Sequence, residues 1–368
     1  MKFYVKWFLP LWLALSSAMA YAHAPGLSSM DVILKAESTL VKVTFALQDI
    51  EAFAPMDSDL DAEVTNAERD AAKPSIAKLL AEHLRINIDG VDYAPVTAGQ
   101  VTFDQQNNAH VEFTFPTAPK HQLLLESRFL SQLPEDHQQY LTIRDEGSKV
   151  LVEKMLLKQD AELTYTINPE GRAQQVAEQY TWFGSFSDFF KLGVEHILTG
   201  YDHLLFLFAL LAVTHSFWPA FKIITYFTIA HSITLACASL NLIELPSNFV
   251  EPVIALTIIY VSLENVFRGD HPKGRQWLTF VFGLIHGFGF ASVLREMGIS
   301  SGDTGILVPL LSFNLGIETG QLTVAAIVLP IIWWINNNLQ IAGKLLKGCS
   351  LSVCLMGTYW LLERTVFF

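Results

Sequence analysis

Residues 193–211 read Gly193-Val-Glu-His-Ile-Leu-Thr-Gly-Tyr-Asp-His-Leu-Leu-Phe-Leu-Phe-Ala-Leu-Leu211. The second half is lipid-compatible helix, yet the first half carries Glu195, His196, Asp202 and His203. Ionisable groups are costly in hydrocarbon. The apolar run after His203 is too short to cross a bilayer alone, so Asp202 and His203 must lie inside the span for it to cross. On one continuous helix, positions i and i+7 sit nearly one above the other. That spacing puts His196 and His203 on one face, with Glu195 and Asp202 on the adjacent one. Glu195 also has Lys191 one turn earlier, which predicts a local i,i+4 ion pair.

Working outward, the chain of 368 residues is 51% hydrophobic, and the apolar residues are unevenly placed. Residues 23–180 hold 25 Asp/Glu and 13 Lys/Arg, a net of −12, whereas the remainder holds 11 of each. All the excess charge therefore sits on one half, and the long apolar runs on the other. Two domains in two solvents are expected. The N-terminal stretch combines Lys2 and Lys6, an apolar run from Trp7 to Leu15, and small residues at Ala18-Met-Ala20 and Ala20-Tyr-Ala22. It reads as a secretory signal over residues 1–22. The acidic half is then exported, with the cytoplasmic membrane holding the rest. Cys237, Cys349 and Cys354 all fall in apolar segments, so neither a disulfide framework nor a cysteine metal motif is present. No nucleic-acid partner is expected.

Residues 23–168 show period-two alternation, as in Val41–Leu47, Leu84–Ile88, His110–Phe115, Tyr140–Arg144 and Leu163–Ile167. Asp89-Gly90 and Asn107-Asn108 are turn signals. An antiparallel β-sandwich interrupted by one helix near Ala67–His83 is predicted. Residues 169–185 read as a polar linker. Residues 186–368 form the expected transmembrane helical domain, with six spans near 187–214, 220–241, 249–268, 276–296, 305–334 and 345–363. With the N-terminal half exported, the inner loops carry Lys222, Arg268, Lys273, Arg275, Lys344 and Lys347, against Lys191, Arg295 and Arg364 outside. This excess obeys the positive-inside rule.

Three further spans supply polar residues at similar depth. His231 lies ~16 Å and His286 ~15 Å from the inner ends of their spans at 1.5 Å per residue. Thr225, Thr228, Ser232 and Thr234 flank His231. Gly283, Gly287 and Ala291 form a small-residue ridge that admits a close neighbour. Asn314, Glu318 and Gln321 share a face at i, i+4 and i+7. Histidines with carboxylates buried at common depth read as a transport path or metal site, and imidazole suits Ni, Co and Zn. Glu251 at an outer helix start, and Glu264 beside Arg268, are weaker candidates.

Four segments, "GVEHILTGYDHLLFL", "FTIAHSITL", "FGLIHGFGFA" and "FNLGIETGQL", closely resemble the HupE/UreJ family of membrane proteins over about residues 180–368. Its hallmark, His followed by five residues and Asp-His, stands here as His196 to Asp202-His203. The resemblance implies a nickel or cobalt permease associated with hydrogenase and urease maturation. It makes His196, Asp202 and His203 the metal-handling set, with His231, His286, Asn314 and Glu318 as pathway candidates. Short members lack a large exported domain, and this chain resembles a longer branch that has one.

Two further metal signals stand apart. Asp57, Asp59, Asp61, Glu63 (through its carbonyl) and Glu68 match positions 1, 3, 5, 7 and 12 of a calcium loop, with Ala62 where glycine would ease the turn. Cleavage after Ala22 would leave His23 beside a free amine. Two other functions use the same residues. A zinc-dependent intramembrane hydrolase resembling alkaline ceramidases would add the Ser232 hydroxyl, and a non-catalytic assembly factor would dock a protein partner on the exported domain. No phosphate-binding loop is present, so ATP hydrolysis is not expected.

Overall fold

A computed structural model describes residues 26–59, 64–96, 99–104, 108–135, 137–167, 182–214, 216–240, 242–243, 245–268, 274–290, 307–338, 340 and 342–366. The signal segment and His23 lie outside these residues, as do Asp61 and Glu63 of the acidic loop.

Among the described residues, the N-terminal region has ten strands: β1 (Leu27–Leu34), β2 (Thr39–Ala46), β3 (Leu84–Ile88), β4 (Val91–Tyr93), β5 (Gln100–Phe103), β6 (Asn108–Phe115), β7 (Gln122–Ser127), β8 (Gln138–Asp145), β9 (Val150–Leu157) and β10 (Glu162–Thr166). They form a six-stranded sheet, β5-β6-β2-β1-β8-β9, and a four-stranded sheet, β10-β7-β3-β4. Alternation does the sorting, since one side chain in two faces inward. Met30, Val32, Val41 and Val43 of the first sheet share a buried core with Ile86, Ile88, Leu123, Leu125 and Leu163 of the second.

The pairing departs from the expected all-antiparallel pattern at one place. β1 and β8 run parallel, with Leu27 opposite Gln138 and Leu34 opposite Asp145. A parallel pair needs a long crossover, and here most of the domain supplies it. Alternation within a strand carries no information about direction, so this pairing was not legible locally. Asp89-Gly90, by contrast, closes the β3–β4 hairpin with both residues at positive φ, 51° and 87°. That is the geometry a two-residue hairpin loop demands.

Among the described residues, two α-helices and a short 3-10 helix (Arg128–Gln132) accompany the sheets. The first, α1 (Leu47–Phe53), was not expected. The second, α2 (Asn66–His83), starts one residue before the predicted one. Thr65 fixes its start through a reciprocal capping box with Glu68.

From residue 182 onward the described residues are mainly helical: α3 (Trp182–Thr199), α4 (Tyr201–Leu211), α5 (Phe217–Ser239), α6 (Ser247–Arg268), α7 (Arg275–Gly289), α8 (Leu307–Asn338) and α9 (Ala342–Val366). Helix α3 begins four residues inside the segment read as linker. The predicted first span is not one helix, because α3 and α4 meet at Gly200 with a bend of 71°. Gly200 takes extended backbone angles, φ −74° and ψ 93°. A Cβ there would press on the His196 carbonyl oxygen at 2.6 Å and on His203 Nδ1 at 3.1 Å. Among the described residues, α5, α6, α8 and α9 are each long and apolar enough to cross a membrane, and the bent pair adds a fifth if it is one span. The predicted fourth span is represented by the 15 residues of α7, and residues 291–306 lie outside the described set.

Glycine sets two tight helix crossings. A Cβ on Gly193 of α3 would collide with the Phe313 carbonyl oxygen of α8, and one on Gly316 with the Phe190 carbonyl oxygen. Gly283 of α7 would press on the Phe227 oxygen of α5 at 2.6 Å, and Gly287 would strike Thr234 Oγ1. Bare backbone at such contacts lets helices approach where lipid gives no hydrophobic drive to associate.

Candidate metal centre

The bend at Gly200 brings together what a straight helix would only have stacked. The His196 ring, near the end of α3, lies with its centroid 4.7 Å from that of His203 in the first turn of α4. His231 of α5 stands 6.4 Å from His196 and 6.3 Å from His203. His286 of α7 stands 5.2 Å from His203. These rings are 7%, 6%, 0% and 1% exposed in chain order, so the cluster is closed to solvent.

Their hydrogen bonds fix which nitrogen is bare. His203 donates from Nδ1 to Asp202 Oδ1 at 3.0 Å, and the same oxygen accepts the His203 backbone N–H at 2.8 Å. Asn314 donates its amide to the Leu310 carbonyl at 2.7 Å, which leaves its Oδ1 to accept from His231 Nδ1 at 3.3 Å. Thr257 donates to the Ile254 carbonyl at 2.7 Å, so its oxygen accepts from His286 Nε2 at 2.9 Å. What remains is Nε2 on His203, Nε2 on His231 and Nδ1 on His286, each buried with no hydrogen-bond partner. Both nitrogens of His196 are in the same condition. A buried polar atom without a partner costs about 1–3 kcal/mol. Four neighbouring rings in that condition make this the candidate site for a ligand.

One nitrogen from each of His196, His203 and His231 lies within 4.8 Å of the others. Metal–nitrogen bonds of about 2.1 Å put tetrahedral donors roughly 3.4 Å apart, which falls inside that limit. The donor set suits a borderline divalent transition ion. Asp202 and Asn314 are placed behind the rings, where such partners fix tautomer and orientation. His286 is adjacent but outside the group of three.

Other sequence-derived candidates are distributed differently. Glu318 Oε1 accepts from Thr225 Oγ1 at 2.6 Å, and Gln321 Oε1 accepts from Thr228 Oγ1 at 3.2 Å. Together with Asn314 and His231 they make a polar seam between α5 and α8, as their shared face predicted. Ser232 donates to the Thr228 carbonyl at 2.7 Å, so its hydroxyl is turned to its own helix. Glu195 does not form the expected Lys191 pair; its Oε2 accepts from Gln138 Nε2 of β8 at 2.8 Å. Sequence spacing had no means of finding that contact, which spans 57 residues. Glu264 does meet Arg268, at 2.9 Å, and Glu251 lies 3.5 Å from Arg364. In the acidic loop, carboxylate oxygens of Asp57, Asp59 and Glu68 come within 4.8 Å of one another. Glu68 already accepts at both oxygens, from the backbone and hydroxyl of Ser58 and of Thr65.

Four membrane-length helices packed with a buried multi-histidine cluster point to a membrane protein with a candidate metal centre. A family model described as HupE / UreJ protein matches residues 172–364, and the chain belongs to that family. The family is linked to nickel or cobalt uptake and to urease or hydrogenase maturation. No curated protein matches the chain.

Proposed function

We propose that the chain is a permease for a divalent transition metal of the nickel or cobalt type. The reading rests on one observation: ring nitrogens of His196, His203 and His231 converge, buried and unpartnered, where α3, α4 and α5 meet, with the His286 ring of α7 beside them. His196, His203 and His231 are the ligands in this reading. Asp202 and Asn314 hold two of those rings, His286 receives the ion next, and the seam from Asn314 to Glu318 and Gln321 lines its onward path.

Six spans with the sheet domain exported from the cytoplasmic membrane complete the proposal. The inner ends, on this topology, include the starts of α5 and α7 and the end of α8. Trp218, Trp277 and Trp334 sit at those places and are largely exposed, as an aromatic belt at one bilayer interface requires. Lys222 lies over the Trp218 ring at 5.6 Å. Ser232 directs its hydroxyl proton to its own backbone rather than toward the histidines, which favours the permease as the use of these residues.

The test is radiometal uptake into proteoliposomes. Wild-type protein is expected to accumulate nickel or cobalt, and His203→Ala to lose uptake while inserting normally. Equal uptake by wild type and His203→Ala would exclude the assigned centre.

A further inference from the structure

The sheet domain does not merely hang from the bundle. Tyr140 of β8 and Met155 of β9 belong to the same buried apolar cluster as Phe189 and Leu192 of α3, Leu235 of α5, Phe290 and Leu310. Tyr140 packs edge-on against Phe189 at 5.4 Å, and Gln138 bonds Glu195. Glu195 immediately precedes His196. In the same cluster Phe290 and Phe313 stack face to face at 4.7 Å. The His196 ring touches both, at 4.5 Å and 5.5 Å.

We infer that the sheet domain is the outer gate of the metal centre, latched through Gln138 and Tyr140 to the helix that carries His196. The inference rests on the permease reading. A permease must close one side of its site while the other is open, and the aromatic contacts of His196 are continuous with the sheet domain through this cluster. The glycine contacts divide the bundle into two units: α3 with α8 (Gly193 and Gly316), and α5 with α7 (Gly283 and Gly287). The domain's hydrogen bond and ring contact, Gln138 to Glu195 and Tyr140 to Phe189, both fall on α3 of the first unit, while Leu235 and Phe290 of the second share only its apolar cluster. Phe313 belongs to the first unit and Phe290 directly follows α7, so their stack is the seam along which the units part. Undocking the domain frees α3 to pivot at Gly200, unstacks the phenylalanines and exposes His196. Glu195 is a positioning residue here: it ties the ligand-bearing helix to the gate. Gln138 transmits the motion well because β8 is an interior strand, paired on both sides with β1 and β9.

The experiment follows Co2+ binding to the full chain in detergent by its visible absorption, with association and dissociation timed separately. Gln138→Ala and Tyr140→Ala are expected to raise both rates at least threefold while leaving affinity within about twofold. Because Tyr140→Ala can disturb the domain, the opposite constraint is the stronger arm. Joining Gln138→Cys to Glu195→Cys with a short, reductant-cleavable bismaleimide should slow both rates at least threefold, and reductant should restore them. Rates indifferent to the cross-link and to its release would overturn the gate while leaving the centre intact. Wild-type absorption that His203→Ala fails to abolish would remove the centre, and the gate with it.

Discussion

The Nδ1–H of His203 is directed at the carboxylate of its own neighbour, Asp202, 3.0 Å away. Two adjacent residues bond in this way because Asp202 stands in the first turn of α4, where its carboxylate also takes the His203 backbone N–H. The arrangement presents Nε2 to the cluster as a lone-pair donor.

Asp202→Asn should therefore weaken metal binding rather than abolish it. Loss of a carboxylate behind a ligating imidazole typically costs 10–100-fold in affinity. Titration calorimetry with Ni2+ or Co2+ should give that range for Asp202→Asn and no measurable binding for His203→Ala. Equal losses in the two variants would mean that Asp202 is itself a ligand.

Glu318 separates binding from passage. Its carboxylate takes the Thr225 hydroxyl at 2.6 Å and does not join the group of three histidines. Glu318→Gln keeps the hydrogen bond and removes the charge. Equilibrium binding should stay within about twofold, and uptake in proteoliposomes should fall at least tenfold. An unchanged uptake rate would take Glu318 off the path.

The α3–α8 crossing is open to a direct stability test. Gly193→Ala puts a methyl group onto the Phe313 carbonyl, and overpacking of this kind costs about 1–3 kcal/mol. Gly343→Ala on α9 meets nothing within 4 Å and should be neutral or stabilising by up to about 1 kcal/mol. Thermal unfolding in detergent should rank Gly193→Ala below wild type, with Gly343→Ala at or above it.

In the sheet domain, His137 is fully buried between Ser28 Oγ at 2.9 Å and Asp49 at 3.8 Å. Burial lowers its pKa from 6.5 to about 4. The unfolded chain then binds a proton that the folded domain refuses, so stability is flat above pH 6.5 and falls between pH 6.5 and about 4. The full loss approaches roughly 3 kcal/mol at 1.36 kcal/mol per unit. Denaturant unfolding of the whole chain, followed by domain-specific proteolysis across that range, should show the decline, and His137→Gln should remove it.

How much of this was legible depended on whether the signal was local. The Asp89-Gly90 hairpin, the α2 start and the Asn314, Glu318 and Gln321 face are local patterns, and each was readable. The histidines could be named because charge within an apolar run is conspicuous. Their meeting depended on the break at Gly200, which helical spacing across residues 193–211 concealed. Gln138 reaching Glu195, and β1 lying beside β8, join distant parts of the chain, and no periodicity encodes them.

The β1–β8 pairing has a consequence for biosynthesis. Leu27 to Leu34 can be flanked on one side by β2 at once, but their other edge stays bare until residues 138–145 have been made. Closing so long a loop is slow compared with forming a hairpin. The six-stranded sheet thus stays in two pieces through most of its synthesis, which keeps the domain in a threadable state until its last third emerges.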